Sequence, residues 1–246
     1  EEPCGSSFAV RRSQRYVHMT KDDIAQVLKI CEDLISQALT HDADDVNFRN
    51  LGELTCLQPG RLYLGNLDHA LNNELLERIG IGAIVNCCSA ETAAMPRTPG
   101  SDLDGVQVLD IPAHDTQTYA TVSIHADVVS TFVEEQLELG KRVLLHCISG
   151  VNRSAALAIA CLMRVETMPL VAAVRLVSAL RRPVLWWLPK KKGPMPNMWL
   201  VGQLAEYAEA KGFALLESNE GMDEATEQKQ EGRQAIIEED LLSDPR

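Results

Sequence analysis

The chain contains a strand-like run, RVLLHC (142–147), and a helix-like run, SAALAIACLM (154–163), joined by a short loop. The first run is apolar and β-branched enough to be covered on both faces, as strands of parallel sheets are. The second is apolar on nearly all sides, which predicts a buried helix. A buried strand that leads into a buried helix predicts a sheet with helices on both faces, and this requirement constrains the fold more than any other feature.

Strand and helix patterns alternate around this pair. The other segments predicted as strands are RLYLG (61–65), AIVNC (83–87), VQVLDI (106–111) and, at an edge, LTCL (54–57). The other predicted helices of this region cover 66–80, 121–139, 170–182 and 198–212. We therefore expect an α/β domain, in which a central, mostly parallel sheet of about five strands is flanked by helices. The helix over 121–139 is expected to bury Ile124, Val128, Phe132 and Val133.

Composition divides the chain into three parts. Residues 1–50 are predicted to be an N-terminal helical extension, 51–216 the main domain, and 217–246 an acidic, disordered tail. The tail carries ten acidic and three basic side chains and no aromatic residue, so it has little apolar area to bury.

The extension contains an amphipathic helix, TKDDIAQVLKICEDLISQAL, which starts at Thr20 with Asp23 in a capping-box-like pattern. Its apolar face comprises Ile24, Val27, Leu28, Cys31, Ile35 and Ala38. Packing on the main domain is the favoured interpretation, and a protein partner that binds this helix is the alternative.

Charge and cysteine content exclude several classes of function. Residues 51–216 carry sixteen acidic and fourteen basic side chains, a net charge of −2, so no broad basic surface for nucleic acid or anionic membrane is expected. No run of about 18 uncharged apolar residues is present. Seven cysteines without metal-ligand spacing argue against a disulfide framework and a zinc site. We expect a cytoplasmic or nuclear protein that uses no cofactor and no metal.

The segment HCISGVNRS (146–154) carries the chemistry. It lies at the carboxyl end of the buried strand, where successive N–H groups and the dipole of the following helix attract an anion. Gly150 permits the turn, and Arg153 offers two donors to phosphate oxygens. The same field favours the thiolate of Cys147, a strong nucleophile towards phosphorus, and Ser154 is placed to donate to the sulfur as it leaves. The alternative is a buried thiol beside a surface arginine.

Phosphoryl transfer also needs an acid for the leaving oxygen. The neighbouring strand, VQVLDI, is followed by PAHDTQTYAT, which contains His114 and Asp115. Either side chain can donate a proton, but a carboxylate can act first as the acid and then as the base for water. We favour Asp115, and we expect Asp110, which is still in the strand, to be structural.

From these residues the chain is identified as resembling the cysteine-dependent dual-specificity protein phosphatases, in the atypical, compact branch of the protein tyrosine phosphatase superfamily. The resemblance covers about residues 51–215 and includes RLYLGNLDHA, LLERIGIGAIVNC, IPAHDTQTY, VLLHCISGVNRSAALAIACLM and PNMWLVGQL. It implies a protein tyrosine phosphatase-like fold, with 51–216 as the catalytic domain. It also implies hydrolysis of phosphotyrosine and of phosphoserine or phosphothreonine in protein substrates, through a phosphocysteine intermediate and without a metal.

The resemblance also implies roles for individual residues. Cys147 is the nucleophile, Arg153 the phosphate clamp, Asp115 the general acid and then base, and Ser154 the residue that assists departure of the thiolate. The phosphate-binding amides begin at Ile148 and continue through Ser149, Gly150, Val151 and Asn152 to Arg153.

The chain departs from the family pattern at two places. Asn152 stands where the family usually has serine, and VLWWLPKKKGPMPNMW contains an insertion with Lys190 to Lys192. The insertion is interpreted as a solvated loop, or alternatively as a docking surface for acidic or doubly phosphorylated substrates. Arg181 matches a position where some relatives have an arginine that contacts a second phosphate, so Arg181 is predicted to bind substrate.

Three alternatives stay open from the sequence. In the first alternative, the enzyme acts on a phosphoinositide or an RNA 5′-phosphate rather than on a protein. In the second, the chain is a phosphate-binding scaffold without turnover. The third concerns Cys87 and Cys88, which we expect to be small buried side chains. For Cys88 a resolving role is also considered, in which a disulfide would protect Cys147 from irreversible oxidation.

Overall fold

The computed structural model describes residues 21–40, 53–58, 60–92, 105–187 and 194–216. A five-stranded sheet lies at its centre, in the order β1-β2-β5-β3-β4. Its strands are β1 (Thr55–Gln58), β2 (Leu62–Gly65), β3 (Ile81–Asn86), β4 (Gln107–Asp110) and β5 (Arg142–His146). Only β1 runs antiparallel to its neighbour, and β2, β5, β3 and β4 are mutually parallel. The predicted α/β fold with a mostly parallel sheet is confirmed, including the strand at the edge.

Helices cover both faces of the sheet. They are α1 (Lys21–Thr40), α2 (Leu67–Leu71), α3 (Asn73–Ile79), α4 (Ser89–Thr92), α5 (Thr121–Glu138), α6 (Arg153–Val165), α7 (Leu170–Leu180) and α8 (Met198–Lys211). The central strand shows the two-sided burial, because Val143 and Leu145 join the larger apolar cluster with α5 and α6. Leu144 points to the other face and packs with Leu76 of α3. The hairpin of β6 (Trp186–Trp187) and β7 (Met195–Pro196) precedes α8.

Helix α1 packs against α7 and α8. Its residues Val27, Cys31 and Ile35 are fully buried in the same apolar cluster as α6, and Ile24 and Leu28 pack against that cluster. This agrees with the favoured interpretation of the amphipathic pattern. Thr20, the side chains of Asp23 and Ala38, and the tail (217–246) lie outside the described residues, so the division into three parts stays a prediction.

The buried face of α5 differs in part from the predicted one, of which Val133 is confirmed as buried. Ile124 and Val128 are 56% and 48% exposed, and the buried stripe comprises Val122, Ala126, Val129, Val133 and Leu137. Phe132 is partly buried against the core. The helix has apolar residues around most of its circumference, so the periodicity alone did not determine which stripe faces α6.

Candidate active site

The loop that joins β5 to α6, residues 147–152 and hereafter the anion loop, lies at the carboxyl ends of the parallel strands. Strands β2 and β3 flank β5 on its two sides. The loop is fixed by backbone hydrogen bonds, in which Leu67 N–H donates to Ile148 O at 3.1 Å and Leu185 N–H donates to Val151 O at 2.9 Å. Helix α2, through Leu67, and the segment before β6, through Leu185, therefore hold the loop at two points.

Gly150 is the residue whose conformation shapes the anion loop. Its φ of +69° lies in the left-handed region, which side chains other than hydrogen disfavour. A Cβ atom at this position would also overlap Gly65 O and Nη2 of Arg181. Both the backbone conformation and the space therefore require glycine here.

Cys147 is fully buried at the start of the anion loop. Its Sγ accepts hydrogen bonds from the N–H of Gly150 and from the hydroxyl of Ser154, both at 3.2 Å. Two donors aimed at one sulfur stabilise a thiolate more than a thiol. The two hydrogen bonds thus fix the position of the sulfur at the start of the loop.

Arg153 opens α6 and is only 3% exposed. Its Nη1 donates to Glu91 Oε2 of α4 and, at 3.1 Å, to Ala113 O. Its Nε lies 3.9 Å from Asp115 Oδ2 and has no hydrogen-bond partner among the described residues. Burial disfavours the charged guanidinium, but the negative charges of Cys147, Glu91 and Asp115 outweigh it, and the pKa of Arg153 lies above its ordinary value. One edge of the guanidinium is therefore anchored, and Nε is left for an oxyanion.

Glu91 is a site residue that the sequence reasoning missed. It belongs to the short helix after β3, and β3 lies beside β5 in the sheet. A signal was present, since any segment that follows a strand adjacent to β5 emerges at the same edge of the sheet. The prediction did not include the order of the strands in the sheet, which places β3 next to β5.

Asp115 lies close to the anion loop, with a side chain 33% exposed. Its Oδ1 accepts a hydrogen bond from Asn152 Nδ2 at 3.3 Å. Burial raises the pKa of Asp115, and the charge of Arg153 and the hydrogen bond from Asn152 offset this only in part, while Glu91 adds to the rise. A carboxyl group with a raised pKa retains its proton to higher pH, as a general acid needs.

The loop that carries this acid, residues 111–120, is held by contacts that the sequence did not reveal. Gln203 Nε2 of α8 donates to Tyr119 O at 3.1 Å. The hydroxyl of Tyr119 donates to Pro112 O at 3.2 Å and lies 2.7 Å from Nε2 of His125, whose pKa burial lowers. These bonds close the loop on itself and tie it to the helices beneath.

The structure does not support the predicted contact of Arg181 with a second phosphate. The residue is 4% exposed, and its guanidinium lies beneath the anion loop. Nε donates to Gly150 O at 2.7 Å and Nη2 to Ser149 O at 3.3 Å, while Nη1 donates to Thr55 Oγ1 at 3.1 Å. Because these backbone and side-chain acceptors hold the guanidinium inside the protein, Arg181 supports the loop instead of reaching a substrate.

Replacement of Arg181 by alanine is accordingly expected to lower kcat/KM by the same factor for a small aryl phosphate and for a doubly phosphorylated peptide. The loss of a buried arginine with several hydrogen bonds should also reduce the free energy of unfolding by about 3 kcal/mol. Urea denaturation and steady-state kinetics measure both effects. Arg182→Ala is the matched control, since it removes the same charge from the next, exposed position. A selective loss for the doubly phosphorylated peptide would restore the original prediction.

Cys87 and Cys88 follow β3 and are both fully buried. Burial raises the pKa of Cys88 to about 12, and the charge of Cys147 adds to the rise. The Cys88 thiol donates to Asn86 Oδ1 at 3.2 Å. A thiol held in this way is a poor nucleophile, so the structure favours a small buried side chain here. The resolving role of Cys88 stays a prediction.

The described residues contain no candidate metal site and no candidate membrane-spanning helix. No group of three or more His, Cys, Asp or Glu side chains suited to a metal ion was found within the described ranges. Likewise, none of the described helices is long and apolar enough to cross a bilayer. The lysines at 190–192 lie outside the described residues, so the docking role considered for them is untested.

A buried cysteine in an anion loop between a central parallel strand and a buried helix defines the cysteine-based phosphatase class. Residues 62–210 match the family model described as the catalytic domain of dual specificity phosphatases. The chain belongs to this family, as an atypical member within the protein tyrosine phosphatase superfamily.

Individual relatives agree with this assignment. The chain is 35% identical over 147 residues to dual specificity protein phosphatase 26 of Homo sapiens, a match that covers 59% of this chain and 63% of that protein. It thus spans less than two thirds of that relative's length. The crystal structure of human DUSP28 is 27% identical, with a TM-score of 0.52, and covers 65% of this chain and 96% of its own. A mouse putative dual specificity phosphatase complexed with zinc tungstate is 28% identical, with the same TM-score, at 67% and 93% coverage.

Proposed function

We propose that this protein hydrolyses phosphotyrosine and phosphoserine or phosphothreonine residues in protein substrates through a phosphocysteine intermediate. The observation that carries the proposal is the sulfur of Cys147, held at 3.2 Å by two donors, together with the Nε of Arg153, which has no hydrogen-bond partner in the described part of the chain. Membership of the dual specificity phosphatase family supports the range of substrates.

The first step transfers the phosphoryl group to sulfur. The thiolate of Cys147 attacks phosphorus, an S–P bond forms, and the bond from phosphorus to the ester oxygen breaks. Asp115 gives its proton to the leaving oxygen, so the substrate departs as an alcohol or phenol. The anion-loop amides and the guanidinium of Arg153 hold the three non-bridging oxygens, over which the negative charge of the transferring group is spread.

The second step restores the enzyme. Water attacks the phosphocysteine and gives a proton to the carboxylate of Asp115, while the S–P bond breaks. The hydroxyl of Ser154, 3.2 Å from the sulfur, donates to the departing thiolate and lowers its energy. Inorganic phosphate is released, and both the thiolate and the protonated acid are regenerated.

The proposal is tested by incubating the protein in EDTA with a phosphotyrosine peptide and a phosphothreonine peptide of the same sequence, and measuring released phosphate. We expect hydrolysis of both. Hydrolysis of a phosphoinositide or an RNA 5′-phosphate with a higher kcat/KM than either peptide would contradict the protein substrate. If the peptides are the better substrates, trapping of cellular phosphoproteins by Asp115→Ala identifies the physiological target.

The proposal extends to signalling and to residence in the cytoplasm or nucleus. None of the six cysteines in the described part of the chain forms a disulfide, which is the usage expected in a reducing compartment. Imaging of the tagged protein in cells tests the location, and recovery of the protein from a secreted or lumenal fraction alone would contradict it.

The pH dependence of kcat/KM should report Asp115. The acid must carry a proton in the first step, so activity is expected to fall on the alkaline side as Asp115 ionises. Since burial raises the pKa of Asp115, this fall lies at higher pH than for an exposed aspartate. Asp115→Asn should lose about 100-fold in kcat/KM and should no longer show the alkaline limb assigned to Asp115. The same alkaline limb in the variant would assign it to another group.

A further inference from the structure

Asn152 occupies the N-cap position of α6, but its side chain makes no capping hydrogen bond. An asparagine at this position usually accepts a hydrogen bond from a backbone N–H in the first turn of the helix. Here the side chain is 7% exposed and turns towards residues 111–120, hereafter the acid loop, where Nδ2 donates to Asp115 Oδ1 at 3.3 Å. Its own Oδ1 is buried and has no hydrogen-bond partner within the described ranges. Helix capping therefore does not explain the residue.

The contact makes the two carboxyl oxygens of Asp115 unequal. Oδ1 receives the amide N–H of Asn152, and a proton placed on that oxygen would compete with the amide hydrogen. Oδ2 lies 3.9 Å from Arg153 Nε, a buried nitrogen for which the described residues provide no hydrogen-bond partner. The oxygen that is free to carry the acid's proton is thus the one on the side of the phosphate.

We propose that the side chain of Asn152 is a positioning residue for the general acid, which binds one oxygen of Asp115 and so directs the transferable proton on the other oxygen to the leaving group. The inference rests on the proposed function. A serine, which the family usually has at this position, is too short to make the bond, because the longer amide only just spans the distance. The departure from the family pattern therefore changes how the acid is held.

Electrostatics around Asp115 are consistent with this role. The groups that face it are Arg153 from α6 and Glu91 from α4, besides the Asn152 amide. The arginine and the amide both lower the pKa of Asp115 against the stronger effect of burial. His114, the other candidate acid, is exposed, and its ring packs edge-on against Tyr119 with centroids 5.2 Å apart. No described contact competes with Asn152 for Oδ1.

The test compares two substrates that differ in their need for an acid. Phenyl phosphate has a strongly basic leaving group and needs the proton, whereas para-nitrophenyl phosphate has a weakly basic one and needs it less. Asn152→Ser and Asn152→Ala are expected to lower kcat/KM for phenyl phosphate about 10-fold more than for para-nitrophenyl phosphate, a difference equal to the worth of one hydrogen bond to a charged group. The alkaline limb of the phenyl phosphate profile should also move to higher pH, because a donor to the carboxylate is lost.

The decisive comparison of the two substrates is made in a protein that already carries Asp115→Asn. With the acid already removed, adding Asn152→Ser should have no further effect on the ratio of the two substrates, as expected for residues that act together. Thr118→Ala, which removes an exposed hydroxyl from the acid loop without touching Asp115, is the control and should leave the ratio unchanged.

Three outcomes are distinguishable. An equal loss for both substrates in both Asn152 variants would show that the residue only maintains the loop, and would overturn the inference. The absence of a loss for either substrate would do the same. Failure of the wild-type protein to hydrolyse either substrate would instead overturn the proposed function.

Discussion

Replacement of Cys147 by serine is expected to lower kcat for para-nitrophenyl phosphate by about 10⁴-fold or more. The serine hydroxyl does not ionise near neutral pH, so the donors that stabilise a thiolate have no anion to hold. The loop amides and Arg153 remain, and the variant should still bind inorganic phosphate. Initial rates measured in EDTA and calorimetric titration with phosphate check the two halves of this prediction.

Cys56→Ser is the matched control for that experiment. Cys56 lies in β1, away from the anion loop, and its thiol donates to Gln58 O at 3.2 Å, a bond that a hydroxyl can also make. The control should retain wild-type kcat. Removal of a nucleophile leaves a residual activity far below about 1%. If Cys147→Ser kept more activity than that, the nucleophile would have to be another group.

Replacement of Gly150 by alanine should have the second largest effect. The methyl group would overlap Gly65 O and the guanidinium of Arg181, and the φ of +69° adds strain for any residue with a Cβ. The loop must therefore shift, and the N–H that Gly150 directs at Cys147 moves with it. We expect kcat/KM to fall by about 10³-fold, as when a preorganised oxyanion donor is lost.

The control for this prediction is Gly202→Ala in α8, where a new Cβ meets nothing within 4 Å. A helix interior prefers alanine, so this variant should be more stable by about 0.5–1 kcal/mol, with unchanged kcat/KM. Urea unfolding of both variants separates the loss of catalysis from any loss of stability. A Gly150→Ala protein with wild-type kcat/KM would mean that the loop tolerates a side chain that the structure excludes.

The sequence predicted most of the fold because the burial requirements of its strands are unusually clear. The run RVLLHC reads as a strand covered on both faces, and β5 is that strand. The stripe buried by α5 was predicted correctly at Val133 but wrongly at Ile124 and Val128. Ile124 and Val129 are similarly apolar, and only contacts with other elements distinguish them. Secondary structure followed from local pattern, whereas orientation depended on the tertiary fold.

The same distinction between local pattern and tertiary contacts applies to the candidate active site. Cys147 and Asp115 were placed together because both follow parallel strands, whose carboxyl ends share one edge of a sheet. Glu91 follows such a strand too, but its pairing with Arg153 depends on the order of the strands. Arg181 was assigned from its position in the chain alone, which does not show whether a guanidinium faces solvent or the underside of a loop.

The burial of Arg181 has a consequence for the electronic state of the anion loop. A trans peptide unit is planar, so its carbonyl oxygen and the N–H on the other side of the bond point in opposite directions. By binding the oxygens of Ser149 and Gly150 from below, the guanidinium aims the N–H groups of Gly150 and Val151 at the opposite, concave side. A cation on the oxygen side also polarises these units, which makes their hydrogens more positive. Arg181 thus acts through two peptide planes on the N–H groups of the concave side without lying on that side itself.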